Sequence, residues 1–119
     1  MISCAPFVVE SLGKLNLVHV IGELDIGNYA QFAEALTALA REKAGPIVVG
    51  FVECTYIDTS GLTALVQAHR ALGRRLHVVV PPISNVRRMF EATGLHRALL
   101  VHNDFRVALA EASHPLVNQ

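Results

Sequence analysis

The chain has 119 residues, of which 52% are hydrophobic and 17% are charged, and ten Lys and Arg residues balance ten Asp and Glu residues. This length predicts a single domain, residues 1–119, with a hydrophobic core large enough to be stable without disulfides or bound metals. The composition excludes intrinsic disorder. Zero net charge argues against direct nucleic-acid binding, which usually needs a basic surplus, and it leaves a weak homodimer open because self-repulsion is absent.

Strand and helix patterns alternate along the chain. Apolar or β-branched runs predict strands, apolar residues at helical spacing predict helices, and glycines or prolines mark where elements end. The predicted elements are, in chain order, strands at 7–10 and 15–21, a helix from Tyr29 to Ala40, a strand at 47–52, a helix from Leu62 to Leu72, a strand at 76–80, a helix from Ser84 to Phe90, a strand at 99–101 and a helix from Phe105 to Ala112.

Several boundaries have specific signals. Gly22 is predicted to end the second strand, Ser84 to cap the third helix, and Gly94 to terminate it. Asn103 or Asp104 is predicted to cap the last helix. The core is expected to span about 7–112, and the segment 113–119 is expected to be a loose tail, because it has few anchoring residues.

The order ββαβαβαβα predicts an α/β fold, with one mostly parallel sheet of four or five strands and about four helices. In such sheets, functional sites lie at the carboxyl ends of the strands. Two loops fall at that edge, residues 22–28 after the second strand and residues 53–60 after the third. We therefore expect the functional site where these two loops meet.

The cysteines and the N-terminus bear on the cellular compartment. Cys4 and Cys54 have no motif spacing, so we predict neither a disulfide nor a zinc site, and Cys54 is expected to be a small buried side chain. The first residues lack the basic start and apolar run of a signal peptide, and no apolar run approaches the about 18 residues of a membrane span. A soluble protein of the cytoplasm is expected.

The most distinctive segment is Tyr56-Ile57-Asp58-Thr59-Ser60-Gly61-Leu62, directly before an apolar-periodic helix. Asp58 is predicted to cap the helix by accepting backbone N–H groups of Ser60 or Gly61. Gly61 costs about 1 kcal/mol relative to Ala in a helix, which suggests that something approaches the backbone closely there. The same residues also fit an ordinary capping cluster with no function of its own.

A hydroxyl in the first turn of this helix is a good place for a phosphate. Free N–H groups and the positive end of the helix dipole favour an anion. Phosphorylation would add a charge of roughly −1.5 to −2 near Asp58, Glu23 and Asp25. A partner that docks on the unmodified surface would then be expelled by charge and bulk, so the segment has the properties of a switch.

At these residues the sequence resembles the STAS domains, and in particular the bacterial anti-sigma-factor antagonists (anti-anti-sigma factors). The resemblance runs from Phe7 to Ala112 and rests on three motifs in order, Gly22-Glu23-Leu24-Asp25, Ile57-Asp58-Thr59-Ser60-Gly61-Leu62, and the helix with Gly-Leu from Val86 to Leu95. Two positions depart from the family pattern. Gly50-Phe51-Val52 stands where Asp-Leu-Ser is common, which removes an expected brace of the loop, and Thr59 replaces the more usual Ser.

The resemblance implies a non-enzymatic protein of partner switching without a cofactor. The unphosphorylated antagonist would bind an anti-sigma factor that is also a serine kinase, and so free a sigma factor. Phosphorylation of Ser60 would end that binding, and a PP2C-type phosphatase would reset the cycle. The residues implied to contact the partner are Glu23, Asp25, Asn28, Asp58, Thr59, Ser60 and Gly61.

A second reading keeps the STAS domain but not the switch. The chain would then be a scaffold or accessory subunit of a stressosome, or of a lipid or anion transport complex, with a constitutive interface. The two readings differ at Ser60, because only the first needs it phosphorylated. Under the first reading, Gly61→Val is expected to disrupt docking more than folding.

Enzyme and metal readings find little support in the sequence. Asp58-Thr59-Ser60 lacks the Gly of an aspartic protease motif directly after Thr59, and Asp58 stands where a serine hydrolase needs Gly. The histidines, none at metal-ligand spacing, are His19, His69, His77, His96, His102 and His114. His69 is expected to be a satisfied core residue. A solvated basic face is expected from Arg70, Arg74, Arg75, Arg87 and Arg88.

Overall fold

The computed structural model describes residues 7–113, which form one five-stranded sheet with helices on both faces. The strands, which lie in the order β1-β2-β3-β4-β5, are β1 (Phe7–Leu12), β2 (Leu15–Leu24), β3 (Ile47–Ile57), β4 (Leu76–Val79) and β5 (Leu100–His102). The helices are α1 (Tyr29–Glu42), α2 (Thr59–Leu72), α3 (Asn85–Thr93), α4 (Leu95–Ala98) and α5 (Phe105–Ser113), with a 3₁₀ turn at Gly73–Arg75. Strand β1 is antiparallel to β2, and the other neighbours are parallel, as predicted.

Two hydrophobic cores flank the sheet. The larger core lies under α1, α2 and α3, where the Phe51 and Phe90 rings pack edge to face with centroids 6.0 Å apart. The smaller core lies under α5, where Ala108 and Ala112 pack on Leu17 and Val48. The β-branched strands are therefore buried on both faces, as parallel strands require. Cys4, His114 and the predicted tail beyond Ser113 lie outside the described residues.

The second and third strands are longer than predicted, and this difference positions the site. Gly22 was expected to end β2, but it lies inside the strand with φ 78°, and the pairing register with β3 shifts on either side of it. A glycine can adopt this conformation without a steric penalty, so the strand bulges and continues to Leu24. Strand β3 likewise continues to Ile57 instead of ending at Val52.

The extra length carries both loops of interest away from the rest of the sheet. Strand β4 pairs with β3 only as far as Gly50, whereas β2 and β3 pair up to Leu24 and Ile57. The last residues of β2 and β3 therefore form a two-stranded projection beyond β4. The loops that follow the two strands leave this projection side by side.

The predicted helix boundaries are confirmed where a side chain caps the helix. Ser84 Oγ accepts the N–H of Arg87 at 3.0 Å, and Gly94 ends α3 in the left-handed region with φ 80°. Asp104 Oδ1 accepts the N–H of Val107 at 3.0 Å, so Asp104 fills the capping position that Asn103 also seemed able to fill.

Gly50, at the position where the family pattern has Asp, lies under the ring of Phe105. A Cβ at Gly50 would lie 2.1 Å from Phe105 Cζ, and the Phe105 ring contacts His19 with centroids 5.2 Å apart. An aromatic side chain from α5 thus fills the space beside β3.

Two sequence expectations about polar side chains are wrong. His69 was expected to be satisfied, but its Nδ1 is buried without a hydrogen-bond partner among residues 7–113, because the surrounding side chains of α2 are apolar. The basic residues do not all form a solvated face. Arg75 Nε donates to the carbonyl of Gly45, and the Arg87 guanidinium donates to Asn103 and to the carbonyl of Val80.

A substitution at Gly45 tests the fold where the loop before β3 packs against Lys14, just before β2. A Cβ there would lie 2.0 Å from the carbonyl oxygen of Lys14, which is backbone and cannot rotate away. We expect Gly45→Ala to lower the free energy of unfolding by about 1–3 kcal/mol, the usual cost of overpacking, measured by urea unfolding. The exposed neighbour supplies the control, Ala44→Ser, which should unfold like the parent. Equal midpoints for Gly45→Ala and the parent would contradict the contact.

Candidate protein-docking site at the carboxyl edge

One carboxylate joins the two loops at the end of the projection. Asp58 Oδ1 accepts the N–H groups of Ser60 at 2.9 Å and Gly61 at 3.2 Å, and Oδ2 accepts the N–H of Ile26 at 3.1 Å. The first two bonds confirm the predicted cap of α2. The third bond crosses to the loop between β2 and α1, which we call the β2–α1 loop (residues 25–28).

The β2–α1 loop is held by its own side chains. Asn28 Oδ1 accepts the N–H of Asp25 at 2.9 Å, and Asn28 Nδ2 donates to the carbonyl of Glu23 at 2.8 Å. Asp25 Oδ1 in turn accepts the N–H of Gly27 at 2.9 Å. Asn28, which the resemblance placed among the partner contacts, therefore uses its amide inside the loop and positions Glu23 and Asp25.

Ser60 and Thr59 lie in the first turn of α2 with different exposure. Thr59 is exposed and Ser60 is partly exposed. The Ser60 hydroxyl forms no hydrogen bond with any residue of the described part of the chain. One turn further along α2, the Thr63 hydroxyl does form one, donating to the carbonyl of Thr59 at 2.8 Å. The Ser60 oxygen is therefore free for a bond to an external group.

Two of the N–H groups that were expected to favour a phosphate at this helix end are already in use. Asp58 already accepts the N–H groups of Ser60 and Gly61 through its side chain, and its carbonyl accepts the N–H of Leu62 at 3.1 Å. A phosphate on Ser60 would lie near the Asp58 carboxylate, which already occupies the N–H groups of Ser60 and Gly61. It would be a charge directed outward to solvent or to a partner.

The charges around Ser60 are acidic and lack ionic partners. Glu23, Asp25 and Asp58 surround the site, and the one ion pair within residues 7–113 lies elsewhere, between His19 and Glu10 at 3.1 Å. A cationic group of a docking protein would therefore meet these carboxylates without displacing a basic side chain of the described residues.

Exposed apolar side chains border the acidic residues, and the sequence reasoning did not identify them as site residues. The side chain of Ile26 is 70% exposed in the β2–α1 loop, and Tyr56 is 48% exposed beside Glu23 in the strand pairing. Ile83, 95% exposed, lies in the loop before α3. The sequence did contain a signal for Ile26, because it lies in a loop between Asp25 and Gly27. An isoleucine in such a loop has no core to pack into and is therefore expected to be exposed.

Gly61 is buried by this chain itself. A Cβ on Gly61 would lie 2.8 Å from Ile57 Cγ1 and 2.9 Å from Leu24 Cγ, both in the larger core. The close approach inferred from the sequence thus comes from the ends of β2 and β3. Gly61→Val was expected to disrupt docking more than folding. The geometry instead predicts a large loss of stability, because both of these neighbours are buried core side chains.

A substitution series at Gly61 should therefore affect stability in order of size. We expect Gly61→Ala to lower the free energy of unfolding by about 1–2 kcal/mol and Gly61→Val by about 2–4 kcal/mol, because each added carbon displaces Leu24 or Ile57. Urea unfolding measures both, with Gln67→Ala on the exposed face of α2 as the control. Full stability of Gly61→Val would show that the ends of β2 and β3 yield more easily than their burial implies.

The other reactive side chains are buried or partly buried. His77 Nδ1 and His102 Nε2 are 3.0 Å apart, and burial together with the neighbouring ring lowers the pKa of His77. Burial raises the pKa of the Cys54 thiol, which is buried as predicted. Among residues 7–113 no three His, Cys, Asp or Glu side chains are grouped to hold a metal ion. No helix of the described region is long and apolar enough to cross a membrane.

The fold and the site define a class of small α/β domains whose functional residues lie in loops at the carboxyl edge of a mostly parallel sheet. The STAS domain family model matches residues 7–112, and the chain belongs to this family. The family resemblance and the fold predicted from the sequence are thereby confirmed.

The relatives of this chain include anti-sigma factor antagonists. The anti-sigma-B factor antagonist of Staphylococcus aureus (strain NCTC 8325) is 29% identical over 96 residues, which cover 79% of this chain and 89% of that protein. An anti-sigma factor antagonist from Mycobacterium paratuberculosis has the same fold, with a TM-score of 0.83, 22% identity and coverage of 91% and 93% of the two chains. The Bacillus cell fate determinant SpoIIAA in its phosphorylated form gives a TM-score of 0.67, 17% identity and coverage of 91% and 99%. Anti-sigma factor antagonists are regulatory proteins, not enzymes.

Proposed function

We propose that this protein is an anti-sigma factor antagonist that binds a serine-kinase anti-sigma factor and is switched off by phosphorylation of Ser60. The observation that carries the proposal is the position of Ser60. Its partly exposed hydroxyl has no hydrogen bond within the described chain, and it lies next to the carboxylate that joins α2 to the β2–α1 loop. The relatives named as anti-sigma factor antagonists, and the phosphorylated form of SpoIIAA, support it. Such a role belongs in the cytoplasm.

In the unphosphorylated state, the docking face combines acidic and apolar groups. Ile26 and Tyr56 offer apolar surface that a partner would cover, and Glu23 and Asp25 offer carboxylates to cationic side chains. Ser60 is small and neutral, so it fits under a partner without a desolvation cost beyond that of a hydroxyl. Release of the sigma factor would follow because the anti-sigma factor is then occupied.

Phosphorylation would change this face without adding a compensating bond. The kinase transfers the γ-phosphoryl group of ATP to Ser60 Oγ, the hydroxyl proton leaves to a base of the kinase, and ADP is the second product. The new group adds a charge of about −1.5 to −2 beside Asp58. Because Asp58 already uses the nearby N–H groups, docking would bury this charge against carboxylates, and the partner would dissociate. A PP2C-type phosphatase would restore the hydroxyl by hydrolysis.

The modification is tested with the parent protein, Ser60→Ala and Thr59→Ala, each incubated with ATP and an extract of the source cells. Intact mass and peptide mapping report any added phosphate. We expect one phosphate on Ser60 in the parent and in Thr59→Ala, and none in Ser60→Ala. No phosphate on the parent, in an extract active on a known substrate, would overturn the switch and favour the constitutive scaffold subunit.

The effect on docking is tested with the kinase recovered from that extract. We expect Ser60→Ala to bind it like the parent and Ser60→Asp to bind at least about tenfold more weakly, a difference of about 1.4 kcal/mol in binding free energy by calorimetry. Both variants should unfold within about 0.5 kcal/mol of the parent, because the Ser60 hydroxyl has no internal bond to lose. Equal affinities of Ser60→Asp and the parent would contradict the proposed switch.

The apolar part of the docking face has its own test. Ile26→Ser should weaken kinase binding by about fivefold to twentyfold, because an exposed aliphatic side chain contributes about 1–2 kcal/mol when a partner covers it. The control is Val107→Ser on α5, another exposed aliphatic residue, which lies away from the site. Weaker binding of both variants to the same degree would show that Ile26 has no special place in the interface.

A further inference from the structure

Strand β1 forms a free edge of the sheet in the part of the chain that the structure describes. Within residues 7–113, β1 pairs with β2 on one side and with nothing on the other. Its outer side therefore presents unpaired N–H and C=O groups along six residues. Edge strands of this kind accept a further strand unless something prevents it.

Strand β1 has few of the features that prevent such pairing, since Glu10 is its one charged side chain. Natural proteins protect edges with very short strands, charged side chains (lysine above all), proline or a bulge. The opposite edge, β5, has only three residues. Strand β1 has six, without proline, lysine or a register shift, and it exposes apolar side chains on both faces. Their exposed fractions are Val8 52%, Val9 43% and Leu12 48%.

We propose that β1 pairs with β1 of a second copy of this chain, in antiparallel orientation about a two-fold axis, to form a ten-stranded sheet. A second copy is the occupant that this surface fits, because the strand can satisfy its own edge symmetrically. Zero net charge of the chain brings no long-range repulsion between the copies. The added strand would pack beside Val8 on one face and Val9 on the other.

The charge of Glu10 selects the register. A two-fold axis perpendicular to the sheet pairs residues of the same face, so either Val9 or Glu10 lies at the axis. With Glu10 at the axis, two carboxylates would lie opposite each other, about 5 Å apart, which is destabilising. With Val9 at the axis, Val9 packs on the partner's Val9, and each Glu10 stays with His19 of its own copy, 3.1 Å away.

The dimer would leave the docking site free. Strand β1 pairs with β2 only from Leu15 to Val20, whereas the site lies beyond Leu24 on the projection. The antiparallel arrangement directs the two Ser60 sites to opposite ends of the ten-stranded sheet. Each copy would therefore bind its own partner, and this inference does not depend on the proposed function.

The contact is small, so the dimer is expected to be weak. One pair of six-residue strands falls below the about 1,200 Å² of a standard stable interface, and transient interfaces of that size typically give micromolar dissociation constants. The dimer should therefore form in a concentration-dependent way.

Sedimentation velocity tests the proposal on the full chain. Over roughly 1 to 500 μM, the parent should shift from monomer to dimer, a range that brackets micromolar dissociation constants. Val9→Lys and Val9→Glu should each stay monomeric, because two like charges would meet at the axis, and an equimolar mixture of the two should dimerise again. Val52→Lys, on an equally exposed residue of β3, should dimerise like the parent.

The outcomes that overturn the proposal are distinct from those that bear on the switch. A parent that stays monomeric at all concentrations, or a Val9→Lys variant that dimerises alone, would reject the β1 edge as the interface. A mixture that stays monomeric would reject Val9 at the axis. Ser60→Asp should dimerise like the parent, so a failed dimer leaves the docking proposal standing, and a failed switch leaves the dimer standing.

Discussion

The Asp58 carboxylate holds helix α2 and the β2–α1 loop together at the carboxyl edge, because it accepts three backbone N–H groups from these two segments. Two of these groups belong to the first turn of α2 and the third to Ile26 in the β2–α1 loop. A capping residue usually serves only its own helix. Here the same side chain also fixes the distance between the residue proposed for phosphorylation and the loop with the acidic and apolar groups. Both parts of the docking face are therefore presented as one surface.

This use of Asp58 also determines how a charge on Ser60 can act. Helix N-termini commonly bind phosphate through free N–H groups, and such binding would draw a phosphoserine inward and partly neutralise it. The donors of Ser60 and Gly61 are already engaged by Asp58, so a phosphate on Ser60 gains no bond from these two groups unless it displaces the carboxylate. Its charge stays at the surface, where a docking partner meets it. The proposed switch therefore needs no rearrangement of the fold, only a change in what the partner would have to bury.

The sequence predicts those parts of the structure that are local. The caps at Asp58, Ser84 and Asp104 were predicted because a capping side chain bonds within three residues of itself. The continuation of β2 from Gly22 to Leu24 could not be predicted, because a glycine that ends a strand and a glycine at a bulge look alike in sequence. The bulge is visible only from the pairing with β3, which is thirty residues away in the chain.

The site residues divide in the same way. The segment Asp58–Gly61 could be found from its own pattern, whereas its neighbours could not. Three contacts join residues that are far apart in sequence. Leu24 packs against Gly61, the N–H of Ile26 donates to Asp58, and the Phe105 ring packs against Gly50. Each of these contacts reassigns a residue that pattern alone misread. Gly61 changes from a contact surface to a core position, and Ile26 from a loop residue to a candidate contact.

The two surfaces proposed for this protein can act independently for a physical reason. The β1 edge ends level with Val20, and four extended residues, about 13 Å, separate it from Leu24 at the start of the site. That distance exceeds the Debye length of about 8 Å at physiological ionic strength, so a phosphate at Ser60 is largely screened at the edge. The β1 edge is also tied to the rest of the domain by packing, through Phe7 against Phe32, and its one charged contact, Glu10 with His19, lies on β1 and β2 below Val20, on the far side of that distance from the site. A domain built this way can change the charge of one surface without changing the association of the other.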